Sequence, residues 1–248
     1  MNKSHLSYRT SNPALNSSTF KTSNNSFLLD DKMTIQGTVD KTAISLVLLI
    51  IAAYYTYSAG MESMILVGSI GGLILALVTI FKKEWSPFTV PLYAILEGLA
   101  LGSISYLYNL QYEGIVLQAI SITVLVLFSL LFAYRTKIIK PTENFKLGLF
   151  AATGGIFLLY MISFIMSFFG SGISLLSANN SSMLSIGLSF GIVIIAALNL
   201  VIDFDFIEEG SEKGAPKYME WYAAFGLLVT LIWLYLELLR LLAKIKNR

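Results

Sequence analysis

Asp203 and Glu237 are acids placed where a chain of this character normally carries none. Asp203 sits at the end of one long apolar stretch and Glu237 sits inside the next. A charged carboxylate at bilayer depth costs at least ~2.5 kcal/mol, so each marks a candidate functional site. Asn199 precedes Asp203 by four residues, which puts both on one helical face. Asp205 is two residues further on and points elsewhere, nearer the polar end, and Glu208 and Glu209 read as solvated. In the following stretch Thr230, Trp233, Glu237 and Arg240 lie near one stripe. Glu237 meets Arg240 at a spacing of three, which also admits a plain ion pair that neutralises itself. Glu97 stands among Leu96, Gly98 and Leu99, with Tyr93 as a polar neighbour on its own helix. Gln118, Ser121 and Ser129 add polar atoms to the run after that.

Acids gathered in a low-dielectric interior have a known chemistry. Burial and a like-charged neighbour both favour the protonated form. Two close carboxyls share one proton and titrate as a unit. Protonated, such a pair is a hydrogen-bonded latch; deprotonated, it repels itself and offers hard oxygens that suit Ca²⁺. The residues therefore suggest a proton-sensitive cation path.

Other chemistries have little to work with. The 248 residues are 56% hydrophobic and 13% charged, about half the charge usual in a soluble domain. Such a chain cannot cover itself with polar surface in water, but it can in lipid. It has no cysteine, and its one histidine, His5, lies in a polar N-terminal stretch, so thiolate and His-rich metal sites and His-based triads are excluded. A formal charge of +2 gives no support for nucleic-acid binding. No phosphate-cradling Gly-rich loop is present. Gly170-Ser171-Gly172 has no histidine to activate the serine. An intramembrane aspartyl protease is the strongest enzymatic rival, but its Tyr-Asp and Gly-x-Gly-Asp patterns are missing. The chain reads as a non-enzyme without a resident cofactor.

The elements that must position these residues are membrane helices. About 20 apolar residues cross a bilayer, and seven runs qualify: Thr42–Ser58, Met61–Phe81, Thr89–Asn109, Gly114–Tyr134, Leu147–Phe169, Met183–Asp203 and Trp221–Leu242. The expected fold is an all-α membrane protein, a seven-transmembrane-helix bundle. Residues 1–40 form a disordered, Ser/Asn/Thr-rich cytoplasmic tail and 41–248 the membrane domain. Only the connections Gly170–Ser182 and Phe204–Glu220 have any length. Lys and Arg fall in the tail and in alternate loops: Lys32 and Lys41, then Lys82 and Lys83, then Arg135, Lys137, Lys140 and Lys146, then Lys213 and Lys217. That pattern places the N-terminus in the cytoplasm. Seven spans then leave Lys244, Lys246 and Arg248 outside, against the trend. A re-entrant last segment would bring them in, but no Gly or Pro interrupts Leu227–Ile245, so a full span is favoured. Three ladders of small residues, Ala94/Gly98/Gly102, Gly68/Gly72 and Gly187/Gly191, predict close helix approach.

Several stretches, in order, carry a resemblance. They are Ser11-Asn12-Pro13, Met33-Thr34-Ile35-Gln36-Gly37-Thr38-Val39-Asp40-Lys41-Thr42, Tyr93-Ala94-Ile95-Leu96-Glu97-Gly98 and Tyr134-Arg135-Thr136. They continue with Ala197-Leu198-Asn199-Leu200-Val201-Ile202-Asp203-Phe204-Asp205 and Trp233-Leu234-Tyr235-Leu236-Glu237-Leu238-Leu239-Arg240. With these the chain resembles the Bax inhibitor/YccA-like membrane proteins, in the bacterial branch with an extended N-terminal tail. The resemblance implies six helices around a central last helix. It also implies a pH-sensitive Ca²⁺ leak across the bacterial plasma membrane, with a sensor pair of acids on the sixth and seventh helices. Asp203 and Glu237 match that pair by position and would hold Ca²⁺ in passing; Asp205 is the alternative sensor acid, and Glu97, Asn199 and Arg240 would line or support the path. The second acid is Glu where better-studied bacterial members have Asp, and the second span lacks the Arg that tethers the sensor there. The resemblance equally admits a non-transporting regulator that binds a membrane protease or another membrane partner. Depth adds a condition. At about 1.5 Å per residue, Glu237 lies some 24 Å from a helix start at Trp221. A direct pair with Asp203 therefore needs Met219–Gly226 to lie outside the hydrocarbon as an interfacial segment.

Overall fold

The computed structural model describes residues 32–248. Seven helices cover most of them: α1 Ile35–Ala59, α2 Met64–Phe81, α3 Ser86–Gln111, α4 Ile115–Arg135, α5 Glu143–Ser167, α6 Met183–Glu212 and α7 Met219–Lys246. All seven are long and apolar enough to cross a membrane, and the protein is a multi-pass membrane protein with a seven-helix fold. An isolated antiparallel bridge joins Lys32 to Pro216. The expected tail up to residue 31 lies outside the described residues. Residues 35–40, which it was thought to include, are the first turns of α1.

Local chemistry sets the ends. Thr34 caps α1, its hydroxyl accepting from the Gly37 N–H at 2.9 Å. Gly60, at φ +62°, terminates α1 in the left-handed conformation that favours glycine. Thr142 caps α5 through the Phe145 N–H.

Among the described residues, one compact unit comprises 32–111 and Asp203–Val229, and the other comprises Tyr112–Ile202 and Thr230–Arg248. α6 and α7 each contribute one part to each unit. Within the first unit α3 packs against both α1 and α2. A Cβ added at Gly102 would lie 2.0 Å from the Ala53 carbonyl oxygen, and one at Gly98 would lie 2.4 Å from that of Leu49. On the other side, a Cβ at Gly68 would lie 2.4 Å from the Leu96 carbonyl oxygen. Gly98, Gly102 and Gly68 are thus sites of backbone contact, while Gly72 meets the Glu97 side chain. The third ladder makes no such contact: a Cβ at Gly187 or Gly191 would meet nothing within 4 Å. Hydroxyls tie the same helices together. Thr56 donates to the Leu99 carbonyl at 3.0 Å and Ser103 to that of Met61 at 2.6 Å.

Burial grades the helices. In their most apolar stretches 72% of α7 is buried but only 6% of α5, in keeping with an enclosed last helix. Ile50, Ile51, Leu66, Leu117, Phe157 and Phe164 are exposed, which for a membrane-spanning chain is lipid-facing surface.

The expected extent of α6 is corrected. α6 does not end at Asp203 but runs on to Glu212, because Phe204, Phe206 and Ile207 are buried and carry the packed face through the acidic stretch. The long connection Phe204–Glu220 is therefore mostly helix. α7 begins at Met219 without interruption, so Met219–Gly226 forms its first two turns. The basic C-terminus is accommodated by carbonyls. Lys246 donates to the Glu113 carbonyl at 2.8 Å and Asn247 to that of Ala178 at 3.3 Å. α7 thus ends beside the α3–α4 and α5–α6 connections.

Candidate functional site

Glu237 is 2% exposed on α7. One turn later, Arg240 Nη1 lies 2.8 Å from Glu237 Oε1 and 2.9 Å from Oε2. From α5, the Tyr160 hydroxyl donates to Oε1 at 2.6 Å. Arg240 also donates to that hydroxyl, and its guanidinium lies over the Tyr160 ring at 5.1 Å. The i,i+3 ion pair anticipated from spacing is present, with a third member that was not anticipated. Tyr160 is a tyrosine within an apolar span. Its only sequence signal is that a buried phenol needs a partner, and thirteen tyrosines dilute that signal. Chemically the trio is a two-state element. A guanidinium stays charged at all physiological pH values, so Glu237 faces a permanent cation on its own helix and a phenol on another.

Asn199 is buried on α6. Its side-chain amide donates to the Thr153 hydroxyl of α5 at 2.9 Å and to the Ile195 carbonyl at 2.8 Å. Asp203 is 2% exposed, one turn beyond Asn199, and Asp205 is half-buried. Asp203 belongs to the first unit and Glu237 to the second, and their pairing stays a sequence expectation. Glu208 is exposed as expected, and Glu209 pairs with Lys213. Glu97 is half-buried on α3 and lies over Gly72 of α2, where an added Cβ would be 2.4 Å from its Oε1. Among the described residues no group of three or more His, Cys, Asp or Glu is placed to hold a metal ion. A transported Ca²⁺ would be cargo.

A second carboxylate cluster escaped the sequence reading. Glu220, at the start of α7 and named beforehand only as the end of the connection Phe204–Glu220, is fully buried. Its Oε1 accepts from the Thr34 N–H at 3.0 Å and the Thr34 hydroxyl at 2.9 Å, and lies 3.1 Å from Lys217 Nζ. A carboxylate thus sits at the positive end of α1. Around it, the Met33 N–H donates to the Ala215 carbonyl, Ser86 donates to the Tyr218 carbonyl, and Lys41 lies over the Trp221 ring. Burial, and after it the nearby Glu84, raise the Tyr218 pKa, so this phenol stays neutral at physiological pH. Gly37 is required by this contact, since a Cβ there would lie 2.0 Å from Glu220 Oε1. Gly37→Ala and Glu220→Ala are each expected to lower stability by about 1–3 kcal/mol. Because they break one contact, the double variant should lose less than the sum. Thermal unfolding in detergent measures all three.

Compared with known proteins, the chain matches over residues 12–247 a family model described as Bax inhibitor 1 like. No curated protein and no solved structure matches it.

Proposed function

The chain belongs to the Bax inhibitor 1 like family, and from that premise we propose that it lets Ca²⁺ leak down its gradient across a bacterial plasma membrane under the control of pH, with its N-terminus in the cytoplasm. It performs no covalent chemistry. The observation that carries this reading is the Glu237–Arg240–Tyr160 trio, a nearly inaccessible acid held by a permanent cation on its own helix and a phenol on another.

In this mechanism Glu237 is one sensor acid and Asp203 the other, with Asp205 as the alternative on α6. When Glu237 is ionised, Arg240 and Tyr160 hold it and fix α5 against α7. When it takes a proton, the attraction between Glu237 and Arg240 is lost, and the contact by which the trio fixes α5 against α7 is weakened. The altered packing changes access for the cation. Asp203 and Glu237 supply hard oxygens to Ca²⁺ in transit, while Asn199 and Glu97 offer polar atoms in otherwise apolar helices. Arg240 also substitutes for the arginine this chain lacks on α2, since it tethers the sensor from within α7.

The test is Ca²⁺ flux into proteoliposomes across pH. The wild type is expected to show a pH-dependent leak, and Glu237→Gln and Asp203→Asn to flatten the profile. An unchanged profile in both variants would remove the sensor role. No flux from the wild type at any pH would instead favour the non-transporting regulator, for which a membrane-protein partner is then to be sought.

A further inference from the structure

Lys244, two turns beyond Glu237 on α7, is a lysine with no access to solvent. Lysines near the ends of membrane helices ordinarily lay their stems along apolar surface and keep the ammonium in water. Lys244 does the opposite. Its Nζ donates to the Leu175 carbonyl at 2.7 Å, the Ser189 hydroxyl at 2.8 Å and the Ser185 carbonyl at 3.3 Å. An ammonium has three N–H donors, and each finds an oxygen. The cage is itself held in place: Ser185 and Ser189 are buried, and the Ser185 hydroxyl donates to the same Leu175 carbonyl at 2.8 Å. All its parts belong to the second unit, in the α5–α6 connection, the start of α6 and the end of α7.

The composition of the cage is informative. Its three oxygens are two backbone carbonyls and a hydroxyl, all neutral; along α7 Lys246 follows two residues on, and Arg240 and Glu237 lie one and two turns back. A divalent site of hard oxygens normally includes carboxylates. A neutral set of carbonyls and hydroxyls suits a monovalent cation, as in potassium-selective filters. Ammonium and potassium ions are close in size and accept the same surroundings. We propose that this cage is a monovalent-cation site which the chain fills with its own tethered ammonium, so that Lys244 acts as a built-in ion fastening the end of α7 to the α5–α6 connection. The inference goes beyond the calcium leak and does not depend on it.

The experiment removes the tether and offers free ions. Purified Lys244→Ala lacks the atoms that n-propylammonium would restore. Its thermal midpoint is measured in n-propylammonium, in K⁺ and in N-methylglucammonium, which is too large for the cage, at equal ionic strength. The variant should melt below the wild type. Both n-propylammonium and K⁺ should raise its midpoint by on the order of 3–6 °C at ten times their Kd relative to the large cation. The wild type, its cage already filled, should not respond, and Lys244→Ala/Ser189→Ala should lose the response. Equal midpoints in all three salts overturn the proposal, as does a double variant that responds like the single one. Rescue by n-propylammonium but not by K⁺ would reveal a lysine-shaped slot rather than a cation site, and overturns it too. Where Lys244→Ala aggregates, the yield of monodisperse protein prepared in K⁺ against N-methylglucammonium decides in the same way, equal yields overturning it. None of these readouts involves Ca²⁺ flux, so a failed leak and a failed cage are told apart.

Discussion

Arg240→Leu is expected to destabilise the protein by about 3–5 kcal/mol, because it leaves the Glu237 carboxylate buried without its counter-charge. Glu237 is 2% exposed. Tyr160 alone can still donate one hydrogen bond to it, which does not offset the desolvation of a full charge. Glu237→Leu/Arg240→Leu should recover most of the loss, since replacing a buried pair by apolar side chains of similar volume is often neutral or better. Tyr160→Phe should cost less, about 1.5–3 kcal/mol, the range for a hydrogen bond to a charged group. Arg240→Lys should fall between wild type and Arg240→Leu, because an ammonium keeps the charge but not the flat guanidinium that covers the Tyr160 ring. Chemical unfolding in mild detergent measures the series. Native-like stability of Arg240→Leu would mean that the carboxylate does not depend on the guanidinium, and would withdraw the two-state element from the proposed mechanism.

What was legible beforehand separates by range along the chain. The seven spans and their order could be read because hydropathy is local. So could the Glu237–Arg240 contact, since three residues on a helix fix its geometry. Tyr160 comes from 77 residues away, and Thr34 reaches Glu220 across 186. No periodicity links such positions without knowledge of which helices meet. The same limit applies to Lys244, whose partners lie 55 to 69 residues upstream. Its charge was weighed only for topology, and the cage of carbonyls and a hydroxyl that holds it could not be foreseen. The extent of α6 was hidden for another reason. Asp203, Asp205, Glu208 and Glu209 look like the end of an apolar run, yet Phe204, Phe206 and Ile207 between them are buried and keep the helix packed. The glycine ladders show how far spacing goes. Gly98/Gly102 and Gly187/Gly191 have the same four-residue repeat, but only the first meets another backbone.

That contrast leads to the second large effect. Gly102→Ala is expected to cost about 3 kcal/mol or more, at the upper end for added core volume, and to lower the thermal midpoint by roughly 6–12 °C for a chain of this size. The new Cβ would lie 2.0 Å from the Ala53 carbonyl oxygen and 2.2 Å from the Thr56 hydroxyl. A clash with a flexible side chain can be relieved by a rotamer change; one with a helix backbone moves the whole of α1. Moving α1 away would also lengthen the Thr56 to Leu99 hydrogen bond, now 3.0 Å. For the same reason Gly102→Ala/Thr56→Ala should recover little, since truncating Thr56 leaves the nearer carbonyl in place. Gly154→Ala on α5 and Gly187→Ala on α6 are the controls. Nothing lies within 4 Å of either new Cβ, and alanine is favoured over glycine inside a helix by about 1 kcal/mol, so both should be neutral or slightly stabilising. If Gly102→Ala melted with the controls, α1 and α3 would not meet in this register. The close approach that the glycines of α3 permit would then not be what holds the first unit together.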